Sequence, residues 1–299
     1  MKTLKELLKE GIEILERFGI EEAGLDAWLL LEYETGKNRA YFYAHPEETV
    51  TEETANAYLE KIRCRATHIP LQHITHQAFF MGYGFYVDEN VLVPRQDTET
   101  LVEKALEIAA SMENPEIMDM CTGSGCILLS LLLERKDSTG TGVDVSSGAL
   151  KVAEKNAKAL GVTDRVSFVE SNLFSAFFLQ KKDGKTLPGY DMLISNPPYI
   201  RTADIDTLME EVQFHDPRIA LDGHEDGLYF YRKITVEGKT FLKPGGWLLY
   251  EIGYDQGNEV GTIMRKAGFS HVEIIKDLAG QDRVALGQLT EKKQEENHV

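Results

Sequence analysis

The sequence predicts an α/β fold in which helices cover both faces of a sheet, with a small helical bundle at the N-terminal end. Three observations predict it. Strand-like and helix-like apolar segments alternate over residues 96–289, as they do around a parallel sheet. Residues 1–75 instead place apolar side chains at helical spacing. Residues 76–95 carry aromatic and β-branched residues interrupted by glycines, which is typical of a hairpin linker.

The N-terminal bundle is predicted to contain three or four short helices. Thr3 and Glu6 have the spacing of a capping box, which marks the start of the first helix. Gly36 is predicted to end the second helix, and the third begins near Thr51. The histidines of this region lack the spacing of metal ligands, so we predict no metal site.

Secondary structure over the rest of the chain follows from local periodicity and from turn residues. Strands are predicted at 116–120, 140–145, 165–170, 190–195, 246–252, 271–278 and 282–288, helices at 126–133 and 147–160, hairpin turns at 82–84 and 88–90, a solvated loop at 179–190, and a disordered tail at 290–299.

The composition of the chain disfavours several classes of function. The formal net charge of −17 disfavours direct nucleic-acid binding, because phosphate contacts need a basic footprint. No apolar run reaches the length of a membrane span, and the first residues lack a signal-peptide core. The three cysteines show no disulfide spacing, as expected of free thiols in a reducing compartment. We therefore expect a cytoplasmic protein that does not bind membranes.

The first predicted strand of the main domain ends in a glycine-rich turn, Cys121-Thr122-Gly123-Ser124-Gly125. Glycines at this position let backbone N–H groups approach a ligand at the start of the following helix. By itself such a turn is weak evidence, since a tight strand–helix connection without a ligand has the same composition. The evidence becomes stronger because the next two strand ends also carry polar side chains.

The second strand ends in Gly142-Val143-Asp144. Asp144 lies nineteen residues after Gly125, where an acid can accept hydrogen bonds from both hydroxyls of a ribose. Asn172 follows the third strand and can bind the amino edge of adenine, and Leu173 can pack on the adenine ring. Ligands of open α/β sheets bind at the carboxyl ends of the strands, so these residues are expected to converge. We predict that they bind the adenosine part of a cofactor.

A dinucleotide is the obvious competitor for this site. Its fingerprint is G-x-G-x-x-G, and here Leu128 occupies the position of the third glycine. A leucine obstructs the close approach of helix and strand that this glycine permits. S-adenosylmethionine contains adenosine but no pyrophosphate, and it therefore fits the pattern better.

The most informative segment follows the strand predicted at 190–195 and reads Asn196-Pro197-Pro198-Tyr199. Its two prolines fix the backbone and remove two N–H donors, which leaves carbonyl oxygens as acceptors. Asn196 adds a side-chain carbonyl, and Tyr199 adds a flat aromatic wall. Acceptors and a ring together can hold a planar NH₂ group, as methylation of an amide or an exocyclic amine requires. Taken alone, the same residues also fit a surface turn.

Together these motifs resemble class I S-adenosylmethionine-dependent methyltransferases, in which Asn-Pro-Pro-Tyr marks enzymes that methylate a planar nitrogen. Residues 93–99, 220–227 and 250–257 are similar to one family of that class, the protein-(glutamine-N5) methyltransferases of peptide chain release factors. The resemblance covers nearly the whole chain and implies a Rossmann-like methyltransferase sheet. The chain departs from the family at Gln96 and Asp97, where Pro-Glu is usual.

This resemblance implies that the chain uses S-adenosylmethionine to methylate the glutamine in the Gly-Gly-Gln loop of class I release factors. Asn196 and the Pro197 carbonyl would accept the two amide hydrogens, and Tyr199 would pack on the amide plane. The N-terminal bundle would contact the release factor. Two alternatives stay open: methylation of a base amino group in DNA or RNA, which needs a flipped base, and a binding module without catalysis.

Overall fold

The structure of the protein is a computed structural model that describes residues 1–184 and 186–290. Contacts divide the chain into two compact units. Unit 1 contains residues 1–77 and 209–215, and unit 2 contains the rest. Within the described residues, every helix is too short or too polar to span a membrane. The tail predicted at 290–299 lies outside the described residues from position 291 onward.

The helices and strands of the described residues are numbered in chain order. The helices are α1 (Leu4–Arg17), α2 (Ala23–Thr35), α3 (Arg39–Ala44), α4 (Glu52–Arg65), α5 (Leu71–Thr75), α6 (Glu99–Ala109), α7 (Cys126–Glu134), α8 (Ser147–Ala159), α9 (Ser175–Lys182), α10 (Glu210–His215), α11 (Arg218–Leu221), α12 (Tyr229–Gly238) and α13 (Gly257–Lys266). The strands are β1 (Ala78–Phe80), β2 (Tyr83–Phe85), β3 (Glu116–Met120), β4 (Thr139–Asp144), β5 (Val166–Glu170), β6 (Tyr190–Ser195), β7 (Leu242–Glu251), β8 (Phe269–Lys276) and β9 (Asp282–Leu289). Short 3₁₀ helices cover Gln96–Thr98 and Thr202–Thr207.

Unit 1 is a helical bundle formed by α1 to α5 together with α10. The predicted capping box is present, because the Thr3 hydroxyl accepts from Glu6 N and the Glu6 carboxylate accepts from Thr3 N. Helix α2 ends at Gly36, whose φ of +65° is the left-handed conformation that favours glycine. Helix α3 is absent from the sequence prediction. It has only six residues after its N-cap Asn38, too few to show a helical period.

Unit 2 contains a seven-stranded sheet in the order β5-β4-β3-β6-β7-β9-β8. The first five strands of this order are parallel, as predicted, whereas β9 runs antiparallel to both of its neighbours. Successive residues of the central strands face two separate cores: Ile194 belongs to one and Leu193 to the other. Helices α6 and α7 cover the first core, and α12 and α13 cover the second. The predicted α/β fold with helices on both faces is confirmed.

Several local predictions are wrong. The hairpin turns at Met81 and Gly82, which both have positive φ, so residues 83–84 belong to β2 rather than to a turn. Residues 91–95, which we predicted as part of the hairpin linker, are irregular chain. Helix α9 occupies the first part of the loop predicted at 179–190. Strand β7 begins at Leu242, well before the predicted start at 246, because a register shift between β6 and β7 accommodates the extra residues.

Candidate active site

The carboxyl ends of β3, β4, β5 and β6 lie side by side in the sheet. Met120 of β3 is opposite Val143 of β4 and Ser195 of β6, so the segments that follow these strands start together. They line a cavity of about 960 Å³, counting the open space at its mouth. The predicted site residues on its wall are Cys121, Thr122, Gly123, Ser124, Asp144, Asn172, Leu173, Asn196 and Pro198. The predicted site residues that do not line it are Gly125, Pro197 and Tyr199.

The two glycines of the turn after β3 have different roles. Gly123 has a φ of +54°, and a Cβ placed there would meet no atom within 4 Å, so its backbone faces open space. Gly125 has a φ of +79°, and its Cβ would lie 3.0 Å from Leu129 Cδ1 and 3.2 Å from Ala153 Cβ. Gly125 therefore allows the turn to pack against α7 and α8. Gly123 is the glycine that leaves room for a ligand.

Asp144 is the acceptor at the end of β4. Its carboxylate oxygens accept hydrogen bonds of 2.9 Å from Gly123 N and Ser146 N, which hold the side chain against the turn. Burial raises the pKa of Asp144 above its ordinary value, and these backbone donors oppose that shift. Each carboxylate oxygen keeps a lone pair for a further donor. Because Leu173 supplies an apolar surface on the same wall, the site fits a nucleoside with its hydroxyls at Asp144.

A second acid, Asp119, supports the turn from inside unit 2. Its Oδ2 accepts a 2.6 Å hydrogen bond from Thr122 Oγ1, and Thr122 N donates to Val143 O at 3.0 Å. Asp119 is fully buried, which raises its pKa to about 7. Among the described residues, its Oδ1 has no hydrogen-bond partner. The turn is therefore held by a carboxyl group whose charged form is disfavoured.

Asn196 enters the cavity wall directly after β6. Its Nδ2 points to Thr98 Oγ1 at 3.5 Å, which leaves its Oδ1 as a hydrogen-bond acceptor. The strand end beneath it is fixed, since Ser195 Oγ donates to Met120 O at 2.6 Å. Thr98 is buried and was not among the predicted site residues. The signal that could have identified it is its place in the family-like segment 93–99.

Tyr199 lies at the end of the same turn, but it does not line the cavity. The hydroxyl donates to Glu251 Oε1 at 3.1 Å, and Glu251 is a buried residue at the end of β7. Burial is the main reason why the pKa of the Tyr199 hydroxyl and the pKa of the Glu251 carboxyl are raised. The proposed contact between the Tyr199 ring and a substrate amide stays a prediction. In the structure, Tyr199 anchors the turn through its hydrogen bond to Glu251.

The segment 93–99 connects the hairpin to the cavity. Arg95 lines the cavity, and Glu99 Oε1 accepts a 2.6 Å hydrogen bond from Met81 N at the hairpin turn. Asp97 Oδ2 lies 3.1 Å from Arg283 Nη2. The residue that replaces the usual glutamate of the family thus forms an ion pair with β9.

Comparison with known proteins places these residues in a family. The family model described as PrmC N-terminal domain matches residues 6–75, and the one described as Methyltransferase small domain matches residues 96–227. A release factor glutamine methyltransferase from Clostridium acetobutylicum is 38% identical over 283 residues, covering 95% of this chain and 97% of that protein. The chain belongs to the release factor glutamine methyltransferase family. A second relative with this name, from Caulobacter vibrioides, is 39% identical over 276 residues, covering 91% of this chain and 92% of that protein.

The family resemblance predicted from the motifs is therefore confirmed. Among solved structures, the hMettl16 catalytic domain in complex with MAT2A 3′UTR hairpin 6 is similar to this chain with a TM-score of 0.55. It is 14% identical, and the match covers 77% of this chain and 82% of that one. At this identity the likeness concerns the fold alone.

The parts of the cavity wall that sequence reasoning missed include two that lie away from the predicted strand ends. One is the irregular segment 90–95, which we predicted as part of the hairpin linker without a site role. The other is formed by Ile219, Ala220 and Phe230, from α11 and α12. Part of each lies within or next to a family-like segment, at 93–99 and 220–227. The family similarity was the available signal, but nothing in their local composition points to a ligand.

Proposed function

We propose that this protein transfers a methyl group from S-adenosylmethionine to the side-chain amide nitrogen of the glutamine in the Gly-Gly-Gln loop of class I peptide chain release factors. The observation that carries the proposal is the position of Asn196. Asn196 lies on the same cavity wall as Gly123 and Asp144, and its side-chain oxygen can accept hydrogen bonds while its Nδ2 is directed to Thr98. A cofactor bound along the turn and a planar NH₂ group bound at Asn196 would therefore share one cavity.

The residues that would hold the cofactor are those at the ends of β3, β4 and β5. The backbone of the turn at 121–124 faces the ligand, Asp144 accepts from ribose hydroxyls, and Asn172 and Leu173 contact the base. When bound, S-adenosylmethionine supplies an electrophilic methyl group on a positively charged sulfur. The acidic Asp144 on the wall suits a cationic ligand.

The substrate amide needs orientation more than it needs a base. Its nitrogen is a poor nucleophile because its lone pair is delocalised into the carbonyl group. Asn196 Oδ1 would accept one amide hydrogen, which points the nitrogen at the methyl donor. The second acceptor implied by the family resemblance is the Pro197 carbonyl; Pro197 does not line the cavity wall, and this contact stays a prediction. These acceptors also strengthen as positive charge develops on nitrogen during the transfer. The proton leaves after the N–C bond has formed.

We further infer that the protein acts in the cytoplasm, where release factors work, and that unit 1 contacts the release factor. The match of residues 6–75 to the N-terminal domain of the same family supports this role for unit 1. The overall charge of −17 favours a protein substrate over a nucleic acid, since it gives no general attraction for phosphate.

The direct test is incubation of the protein with methyl-labelled S-adenosylmethionine and a class I release factor. We expect label in the release factor, and none when its Gly-Gly-Gln glutamine is replaced by alanine. Duplex DNA and RNA serve as further substrates in parallel reactions. Label in a nucleic acid but not in the release factor would show that the same turn binds a base amino group and that the proposal is wrong.

A further inference from the structure

The family-like segments 220–227 and 250–257 contribute little to the cavity wall, but both lie against the Asn-Pro-Pro-Tyr turn. Gly223 N donates to Ile200 O at 2.8 Å, and Ile200 N donates to Leu221 O at 3.0 Å. A Cβ added at Gly223 would lie 2.7 Å from Tyr199 Cα, closer than real Cβ contacts. The first segment is thus packed directly on the backbone of Tyr199.

Gln256 of the second segment binds the same backbone with its side chain. Its Nε2 donates to Tyr199 O at 3.0 Å and to Gly227 O at 3.4 Å. Its Oε1 accepts from Gly253 N at 3.0 Å and lies 3.3 Å from Tyr231 Oη, whose single proton is shared with Glu251 O at 3.0 Å. Gln256 is only 5% exposed, so these four protein groups replace water around its amide.

We propose that Gln256 is a positioning residue for methyl transfer. It holds the carbonyl end of the Asn-Pro-Pro-Tyr turn, while Glu251 holds its Tyr199 hydroxyl. The proposal deepens the proposed function and rests on it, because the group positioned is Asn196 Oδ1, three residues before Tyr199. Two prolines lie between them and make the turn stiff, so a shift at Tyr199 O moves Asn196 as well. Small misplacements of an orienting group have large effects on rate.

The role requires an amide at position 256 and not merely a side chain of that size. In Gln256→Glu, the atom facing the Tyr199 and Gly227 carbonyls changes from a donor to an oxygen. A charged carboxylate would repel both carbonyls, whereas a protonated carboxyl could again donate one O–H to Tyr199 O. Burial favours the protonated form, so lowering the pH should restore part of the turn geometry.

The experiment measures single-turnover methylation of a release factor by the full-length protein at saturating S-adenosylmethionine. The variants are Gln256→Glu and the matched control Gln288→Glu, in which the lost amide also donates to one backbone carbonyl, Gly245 O at 2.8 Å. We expect Gln256→Glu to lower the rate of methyl transfer by about 10²-fold. The control should stay within roughly threefold of the wild type, and so should the release factor KM and the cofactor Kd of both variants.

A pH series separates positioning from simple destabilisation. Between about pH 8 and pH 6, the rate of Gln256→Glu should recover roughly tenfold relative to the wild type, with circular dichroism showing a folded protein throughout. Gln256→Met fills the same space without a charge, and it replaces Gln256→Glu if that variant does not fold. We expect it to lose about tenfold in rate at every pH, because it offers no proton to restore.

The outcomes distinguish the two proposals. If the wild type methylates no release factor, the proposed function is wrong, and the positioning role for that transfer is wrong with it. If the wild type is active and the Gln256 variants stay within threefold of Gln288→Glu, the positioning role is wrong. A loss confined to KM or to cofactor Kd would overturn it as well, since it would assign Gln256 to binding.

Discussion

The stability of unit 2 should depend on the ionisation of Asp119, and the variant Asp119→Asn isolates this dependence. Asp119 is fully buried, and its carboxyl titrates at a pKa of about 7 instead of 3.8. The folded state therefore holds this proton more tightly than the unfolded state. Stability from this source is present at low pH and is lost as the pH rises from about 4 to about 7. Asparagine does not ionise and lacks this pH-dependent loss.

The magnitude follows from the two pKa values. Each pKa unit corresponds to 1.36 kcal/mol, so a rise from 3.8 to about 7 limits the effect to about 4 kcal/mol. Over a practical window of about pH 4.5 to 8.5, the expected change is about 3 kcal/mol. The asparagine amide would also leave an unsatisfied donor near the unpartnered Oδ1 position, at a cost of about 1–3 kcal/mol. That cost does not vary with pH. It therefore does not affect how the difference in unfolding free energy between Asp119→Asn and its parent changes with pH.

Urea unfolding followed by tryptophan fluorescence measures the effect. The chain has two tryptophans, and the background Trp28→Phe leaves only Trp247 of β7, which reports on unit 2. The free energy of unfolding of Asp119→Asn minus that of its parent should increase by about 3 kcal/mol as the pH rises through the window. Asp137→Asn is the control, because ion pairing with Arg135 lowers the Asp137 pKa to about 2, below the pH window. The unfolding free energy of Asp137→Asn minus that of its parent should therefore stay constant with pH. A flat difference for Asp119→Asn as well would refute the reasoning.

Two further predictions concern the cofactor acceptor and the packing of the turn. Asp144→Ala should weaken S-adenosylmethionine binding by roughly 10- to 100-fold in isothermal titration calorimetry. The variant lacks the charged acceptors for the ribose hydroxyls and the carboxylate that accepts from Gly123 N. An unchanged Kd would show that Asp144 does not bind the cofactor. Gly223→Ala should destabilise the protein by about 1–3 kcal/mol in urea unfolding, since its Cβ would lie 2.7 Å from Tyr199 Cα. The matched change Gly24→Ala meets no atom within 4 Å inside α2 and should be neutral or stabilising by up to about 1 kcal/mol; equal effects of the two changes would contradict the packing argument.

Sequence reasoning succeeded where the signal is local. The strand at Tyr190–Ser195 was predicted with the correct bounds, because a short apolar run ends at two prolines. The capping box at Thr3 and the glycine stop at Gly36 were also found from local rules. The antiparallel direction of β9 has no such signal. It depends on the route of the chain after β8 and on pairing across the sheet.

The site shows the same limit. Asp144, Asn172 and Asn196 could be predicted because each lies at or just after the end of a strand, and a parallel sheet brings such positions together. Thr98 and Gln256 could not, because their partners are 98 and 57 residues away in the chain. These contacts exist only in the folded molecule. The hairpin turn was misplaced for a related reason: Gly82 and Gly84 both favour a turn, and only the pairing of β1 with β2 selects Met81 and Gly82.

The most direct test of the account is the single-turnover rate of Asn196→Ala on a release factor, measured together with its affinity for S-adenosylmethionine. If Asn196 Oδ1 orients the substrate amide, the rate should fall about 10²-fold or more while the variant still binds the cofactor. A rate close to that of the wild type, with the cofactor bound normally, would contradict the account.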